Sequence, residues 1–88
     1  MLKKIAVISA ILDEPLMSQE QFNKVIANFK GIIRGRMGIP FEEEGISVVT
    51  ITVIGEIDEI NSLTGKLGNI PNVQVKTSIS KKDIKDKD

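Results

Sequence analysis

Lys3-Lys4-Ile5-Ala6-Val7-Ile8-Ser9-Ala10-Ile11-Leu12 is a run whose apolar residues fall on both sides of an extended backbone. Side chains alternate across a strand, so Ile5, Val7 and Ile11 point one way and Ala6, Ile8, Ala10 and Leu12 the other. A strand of that composition belongs in the middle of a sheet, covered on both faces. Ile46-Ser47-Val48-Val49-Thr50-Ile51-Thr52-Val53-Ile54 repeats the pattern. There Val49, Ile51 and Val53 share one face, while Ile46, Val48 and Ile54 flank Thr50 and Thr52 on the other. Two central strands are therefore expected, and the segments between and beyond them fix the topology.

Asp13-Glu14-Pro15 ends the first strand, and Ser18 followed by Gln21 reads as a capping box that opens a helix. Phe22, Val25, Ile26 and Phe29 then recur at the spacing of one buried helical face, which Gly31 is placed to close with a left-handed cap. From Ile32 to Phe41 the chain carries Gly35, Gly38 and Pro40, which an edge strand tolerates and a central one does not. Glu42-Glu43-Glu44-Gly45 is the turn into the second central strand, which Gly55 breaks. Asp58 caps or enters the first turn of a second helix with the stripe Ile60, Leu63 and Leu67, stopped by Gly68 and Pro71. Val73 to Ser80 alternates cleanly, with Val73, Val75, Thr77 and Ile79 facing inward.

The order βαββαβ predicts an α+β, ferredoxin-like sandwich: a four-stranded antiparallel sheet with both helices on one face, placed there by right-handed crossovers. Residues 1–80 form one domain on this reading, and 81–88, four Lys and three Asp around Ile84, form a charged tail that buries too little to order itself. The first and third strands fall in the middle, where the two most apolar segments are. The helices then cover one face only, and Ile and Val side chains remain on the other. Self-association is the expected cover, as a homodimer or a dimer of dimers.

Composition narrows the function classes. The chain has 88 residues, 41% hydrophobic and 27% charged, with twelve Lys plus Arg against twelve Asp plus Glu. Such a balance gives no diffuse positive field for nucleic acid or anionic membrane, so neither is an expected partner. With no His and no Cys, the chain has no imidazole or thiolate for a transition-metal centre and no Ser-His or Cys-His nucleophile. No cofactor, metal site or catalytic residue is expected, and the reading is of a protein that is not an enzyme. Lack of Cys, and of any apolar run near the ~20 residues of a membrane span, points to the cytoplasm.

Few motifs carry chemistry. Gly35-Arg36-Met37-Gly38 has the GxxG spacing that clamps nucleotide backbones, but that loop must join two helices, and here it leads into Ile39-Pro40-Phe41. Thr64-Gly65-Lys66 resembles the end of a phosphate loop, yet Ile60 stands where the first glycine is required and Leu67 where Ser or Thr would hold magnesium. A glycine inside a helix suggests instead that Gly65 allows close packing. Arg34 and Arg36 are two apart, so on a regular strand both guanidiniums project from one face, to grip an anion or to pair with Glu42, Glu43 or Glu44. The acidic run has no alternating ligand pattern for calcium. Phe22, Phe29 and Phe41 are the only aromatics and provide no stacking platform.

Gly35-Arg36-Met37-Gly38-Ile39-Pro40-Phe41, then Gly45-Ile46-Ser47, then Asp58-Glu59-Ile60 leading to Leu63-Thr64-Gly65-Lys66-Leu67-Gly68, resembles the family of regulators of the iron-only hydrogenase system. The resemblance runs from about Lys3 to Ser80. It implies a small regulator linked with that hydrogenase and its maturation, with an ACT-like fold similar to the C-terminal domain of nickel-responsive repressors. Nickel sensing itself is not expected without His or Cys. The ACT pattern places a glycine after the proline of the first strand-helix loop, where this chain has Leu16. No helix-turn-helix or ribbon-helix-helix segment is present for operator binding.

These readings converge on an oligomeric ACT-like regulatory domain that senses a small molecule or contacts a hydrogenase-system protein, with an adaptor that binds maturation machinery without ligand as the alternative. Candidate ligand-binding residues are Asp13 and Glu14, in the loop running to Met17 at a subunit interface, or Arg34 and Arg36 with Lys66 as an anion site.

Overall fold

The computed structural model describes residues 2–85. Along the chain run β1 (Leu2–Asp13), α1 (Pro15–Ala27), β2 (Ile33–Phe41), a 3-10 turn at Glu42–Glu44, β3 (Ile46–Gly55), α2 (Ile57–Gly68), β4 (Val73–Ile79) and a short β5 (Ile84–Lys85). The main sheet has the order β2-β3-β1-β4, every neighbour antiparallel, and β5 adds a fifth strand beside the start of β1. This is the expected βαββαβ, ferredoxin-like arrangement, with the two most apolar strands at its centre.

One core fills the space between sheet and helices. Ala6, Ile8, Ala10 and Leu12 of β1 and Val49, Ile51 and Val53 of β3 meet Phe22 and Ile26 of α1 and Ile60, Leu63 and Leu67 of α2, all buried. Each large side chain taken out of water there contributes about 1.5–3 kcal/mol. Thr64 and Thr77 share a 2.8 Å hydroxyl hydrogen bond that ties α2 to β4. The other face of β1 stays open: Ile5, Val7 and Ile11 are 36%, 38% and 40% exposed. Cover on both faces is thus met on one side only within a single chain.

Helix α1 begins earlier than the capping box suggests. Pro15 supplies the first helical residue with its φ already fixed, and Glu14 before it is left-handed, at φ 49° and ψ 60°. Ser18 lies four residues before Phe22, on the buried stripe, and its hydroxyl donates to the Asp13 carbonyl at 3.4 Å. The helix also ends before Gly31, at Ala27, where the right-handed Asn28 donates its N–H to the Val25 carbonyl and Phe29 donates to the Ile26 carbonyl. Among the described residues Gly45 is the glycine with positive φ, +66°, at the close of the hairpin turn. Gly65 makes no close approach within the chain, because it lies on the outer side of α2, where an added Cβ would meet nothing within 4 Å.

The charged tail contributes more order than its composition suggests. Pairing of β1 with β4 stops at Ala6 opposite Ile79, and Leu2 and Lys3 beyond it pair with Lys85 and Ile84. Lys4 Nζ holds Asp83 at 2.9 Å and the Lys81 carbonyl at 3.0 Å, while Ser80 Oγ accepts the Ile5 N–H and donates to the Lys82 carbonyl. An unpaired stretch of strand backbone is satisfied by the returning chain. Residues 86–88 of the expected tail lie outside the described residues.

Candidate functional site

Three turns meet at one end of the sheet. Asp13, the last residue of β1, donates its N–H to the Asn72 carbonyl at 2.8 Å, and Glu14 donates to the Gly45 carbonyl at 3.1 Å. The Glu14 carbonyl then accepts from Met17 and Ser18 and starts α1. Two residues in the left-handed region, Glu14 and Asn72 at φ 69°, make this junction. Neither is glycine, and such a conformation costs a side-chain-bearing residue about 1–2 kcal/mol.

Between the first turn of α1 and the tip of the β2–β3 hairpin lies a groove of about 630 Å³. Leu16 and Met17 line it from α1, Pro40 and Ile46 from the hairpin strands, and the acidic residues Glu14 and Glu42 line it as well. Leu16 is 100% exposed and Met17 69%. Glu43 and Glu44 continue the acidic edge beyond Glu42, and Glu20 lies on the far side of Leu16. No Lys or Arg lines the groove.

A second surface is the open sheet face. The register places Met37, Ile39 and Phe41 of β2 opposite Thr50, Val48 and Ile46 of β3, and Ile11, Val7 and Ile5 of β1 opposite Val48, Thr52 and Ile54. Residues directly opposite share a face, so these form one apolar field. Met37, Ile39 and Phe41 are 60%, 45% and 47% exposed.

The predicted residues separate between places. Glu14 lines the groove and Asp13 precedes it in the chain. The register slips between Ile33 and Gly35 and leaves Arg34 as the extra residue of a bulge, and the two arginines go to different partners. Arg34 donates to the Gly31 carbonyl at 3.4 Å. Arg36, opposite the buried Ile51, turns toward α1, where it donates to Asn23 Oδ1 at 2.8 Å and lies 5.6 Å from the Phe22 ring centroid. Lys66 instead sits 5.5 Å from the centroid of Phe29. Each cation thus has its own neighbour within the fold.

Leu16 and Met17 fall inside the loop to Met17 singled out above, where Asp13 and Glu14 alone are named as binding residues, and Pro40 and Ile46 are named for no site. A signal was available: Leu16 and Met17 are apolar yet out of phase with the buried positions Ser18, Phe22 and Ile26. Among the described residues no group of three or more His, Cys, Asp and Glu is arranged to hold a metal ion, and no helix is long and apolar enough to cross a membrane.

Comparison with known proteins agrees with this geometry. Residues 4–77 match the TM1266-like family, described as "Iron-only hydrogenase system regulator, putative". The structure of the uncharacterized protein TM1266 from Thermotoga maritima superposes with a TM-score of 0.86 at 30% identity, covering 90% of this chain and 99% of that one. An unknown protein from Galdieria sulphuraria shares the fold, with a TM-score of 0.62 at 15% identity over 91% of this chain and 46% of that one. No curated protein matches in sequence.

Proposed function

Because the chain belongs to the TM1266-like family of iron-only hydrogenase system regulators, we propose that it acts as a non-enzymatic, ACT-like regulatory domain that works as a homo-oligomer in the cytoplasm. The open sheet face carries this reading. Ile5, Val7, Ile11, Met37, Ile39 and Phe41 keep between 36% and 60% of their surface in water on one continuous side of the sheet. A contiguous apolar field of that kind marks an interaction surface rather than ordinary scatter. A second copy is its most economical cover, since a two-fold axis presents the same patch twice and a small domain gains proportionally most from added burial.

Regulation then requires that the assembled protein receive a signal, as a small molecule or a partner protein of the hydrogenase system. The strained loop from Asp13 to Met17 is the element best placed to receive it, because left-handed non-glycine residues persist where surrounding structure holds them. Arg34 and Arg36 each engage one guanidinium nitrogen and Lys66 lies beside Phe29, so an anion site on these three cations, held by separate neighbours, is supported less directly than the loop. Native mass spectrometry of the untagged protein tests the reading. A multiple of the chain mass is expected, and a bare monomer at every concentration refutes it.

A further inference from the structure

We propose that the groove between the first turn of α1 and the β2–β3 hairpin tip docks a basic, amphipathic peptide segment of a partner protein. An apolar side chain of that segment would seat between Leu16 and Met17 on one side and Pro40 and Ile46 on the other, with flanking Lys or Arg paired to Glu14 and Glu42. This rests on reading the chain as a partner-binding regulator, but not on the sheet face being the oligomer contact.

Three observations select that occupant. First, Leu16 is wholly exposed and Met17 is 69% exposed, although both belong to a helix whose inner face is fully packed. They project from the surface beside Pro40 and Ile46, which suits a protein segment laid across them. Small molecules prefer enclosed sites that bury most of their surface. Methionine also adapts its shape to an incoming apolar group at little cost.

Second, the charge around the groove has one sign. Glu14 and Glu42 line it, Glu43 and Glu44 extend its edge, and Glu20 flanks Leu16 from the next turn. The whole chain has equal numbers of acidic and basic residues, so this end departs from the average of the molecule. The opposite end of β1 is mixed in charge by contrast, with Lys4 paired to Asp83 and Lys85 opposite Leu2. Carboxylates around an apolar patch steer cationic partners toward it and repel acidic ones. Third, the groove is built rather than incidental. The Glu14 N–H to Gly45 carbonyl bond at 3.1 Å fixes the spacing of its walls, at the expense of a left-handed Glu14.

The test is a phage-displayed library of random twelve-residue peptides, selected on the wild-type protein with counter-selection on Leu16→Asp. The expected result is enrichment of sequences with one or two bulky apolar residues flanked by Lys or Arg. Synthetic versions should bind Leu16→Asp and Glu42→Lys at least about tenfold more weakly than wild type, as truncating a central contact does. Their binding should also weaken as salt rises. Leu16 and Glu42 are exposed, so both variants retain the fold, and circular dichroism checks this. Absence of enrichment, enrichment of acidic or uncharged sequences, or equal binding to both variants overturns the proposal. Sedimentation of Leu16→Asp separates two further cases. An unchanged oligomer leaves the groove to a foreign segment, whereas loss of the oligomer assigns the groove to a second copy of this chain and also overturns the proposal. A wild-type monomer that still selects basic peptides would refute the oligomer reading and leave the groove standing.

Discussion

Replacing Val7 with Lys should dissociate the oligomer while leaving the fold intact. Val7 lies midway along β1 on the open face, 38% exposed, opposite Thr52 of β3 and Ser78 of β4. Lys76, opposite Ser9, is a diagonal neighbour on that face, so a new ammonium at position 7 adds like charge to an otherwise apolar stretch. Fully burying an aliphatic or aromatic side chain gains about 2.5 kcal/mol, so the 36–60% exposed fractions of Ile5, Val7, Ile11, Met37, Ile39 and Phe41 hold about 1 kcal/mol each. Two such faces brought together gain about 12 kcal/mol, against an association cost of roughly 4–15 kcal/mol. The net is small, so one poor contact decides the outcome. Symmetry applies the substitution twice. Lost Val burial and two ammoniums carried into an apolar interface together cost at least about 3 kcal/mol, more than a hundredfold in dissociation constant. Sedimentation velocity across a concentration series reads the shift, with Asn61→Lys on the exposed side of α2 as control. An oligomer that survives Val7→Lys with an unchanged dissociation constant would refute the assignment of this face.

Phe22→Ala removes a side chain with no exposed surface together with the ring beneath Arg36, and should lower unfolding free energy by about 3–5 kcal/mol in urea titration. Arg36→Ala should cost only about 1–2 kcal/mol for the lost Asn23 hydrogen bond and ring contact, and should leave sedimentation unchanged. Gly45→Ala meets open space on every side, so its expected loss of about 1 kcal/mol comes from the backbone at φ +66° alone and is read as a lower urea midpoint. Truncation after Ser80 removes the Lys4–Asp83 pair and the β5 pairing, and hydrogen exchange at Leu2 to Ile5 should accelerate while β3 stays protected.

Most of the fold was legible because its strands obey a period-two pattern that tertiary contacts only confirm. Val49, Ile51 and Val53 were placed on one face from their spacing, and all three are buried. The edge character of β2 followed from Gly35, Gly38 and Pro40, and β2 is indeed an edge strand. The start of α1 was misplaced because a Ser followed by a Gln at cap spacing is a local signal, and here the Pro15 backbone and the burial of Ser18 outweighed it. The bulge at Arg34, which puts Ile33 and Arg36 both opposite buried residues of β3, is a one-residue insertion that a sequence does not mark. The loop from Asp13 to Met17 was legible as a candidate, but its pairing with Pro40 and Ile46 was not. Leu16 and Met17 come from the β1–α1 junction and Pro40 and Ile46 from the β2–β3 hairpin, and they come face to face through the long-range pairing of Asp13 with Ile46 and the Glu14 to Gly45 hydrogen bond.

Ile46 connects the two surfaces and leads to a last prediction. It lines the groove, and it also lies on the open sheet face, opposite Phe41 on one side and Asp13 on the other. A regulator needs its receiving site and its assembly surface to affect one another, and shared side chains are the shortest physical route. A peptide that presses an apolar group against Ile46 changes what a second copy meets at that end of the face. Oligomerisation and peptide binding should therefore be coupled by about 5- to 150-fold, the usual range for linked sites, with the same factor in both directions. Sedimentation of wild type with and without an enriched peptide measures one direction, and peptide titration above and below the dissociation constant of the oligomer measures the other. Ile46→Ala should shrink both factors together. Two independent equilibria, each insensitive to the other, would show that the groove and the sheet face work separately despite the residue they share.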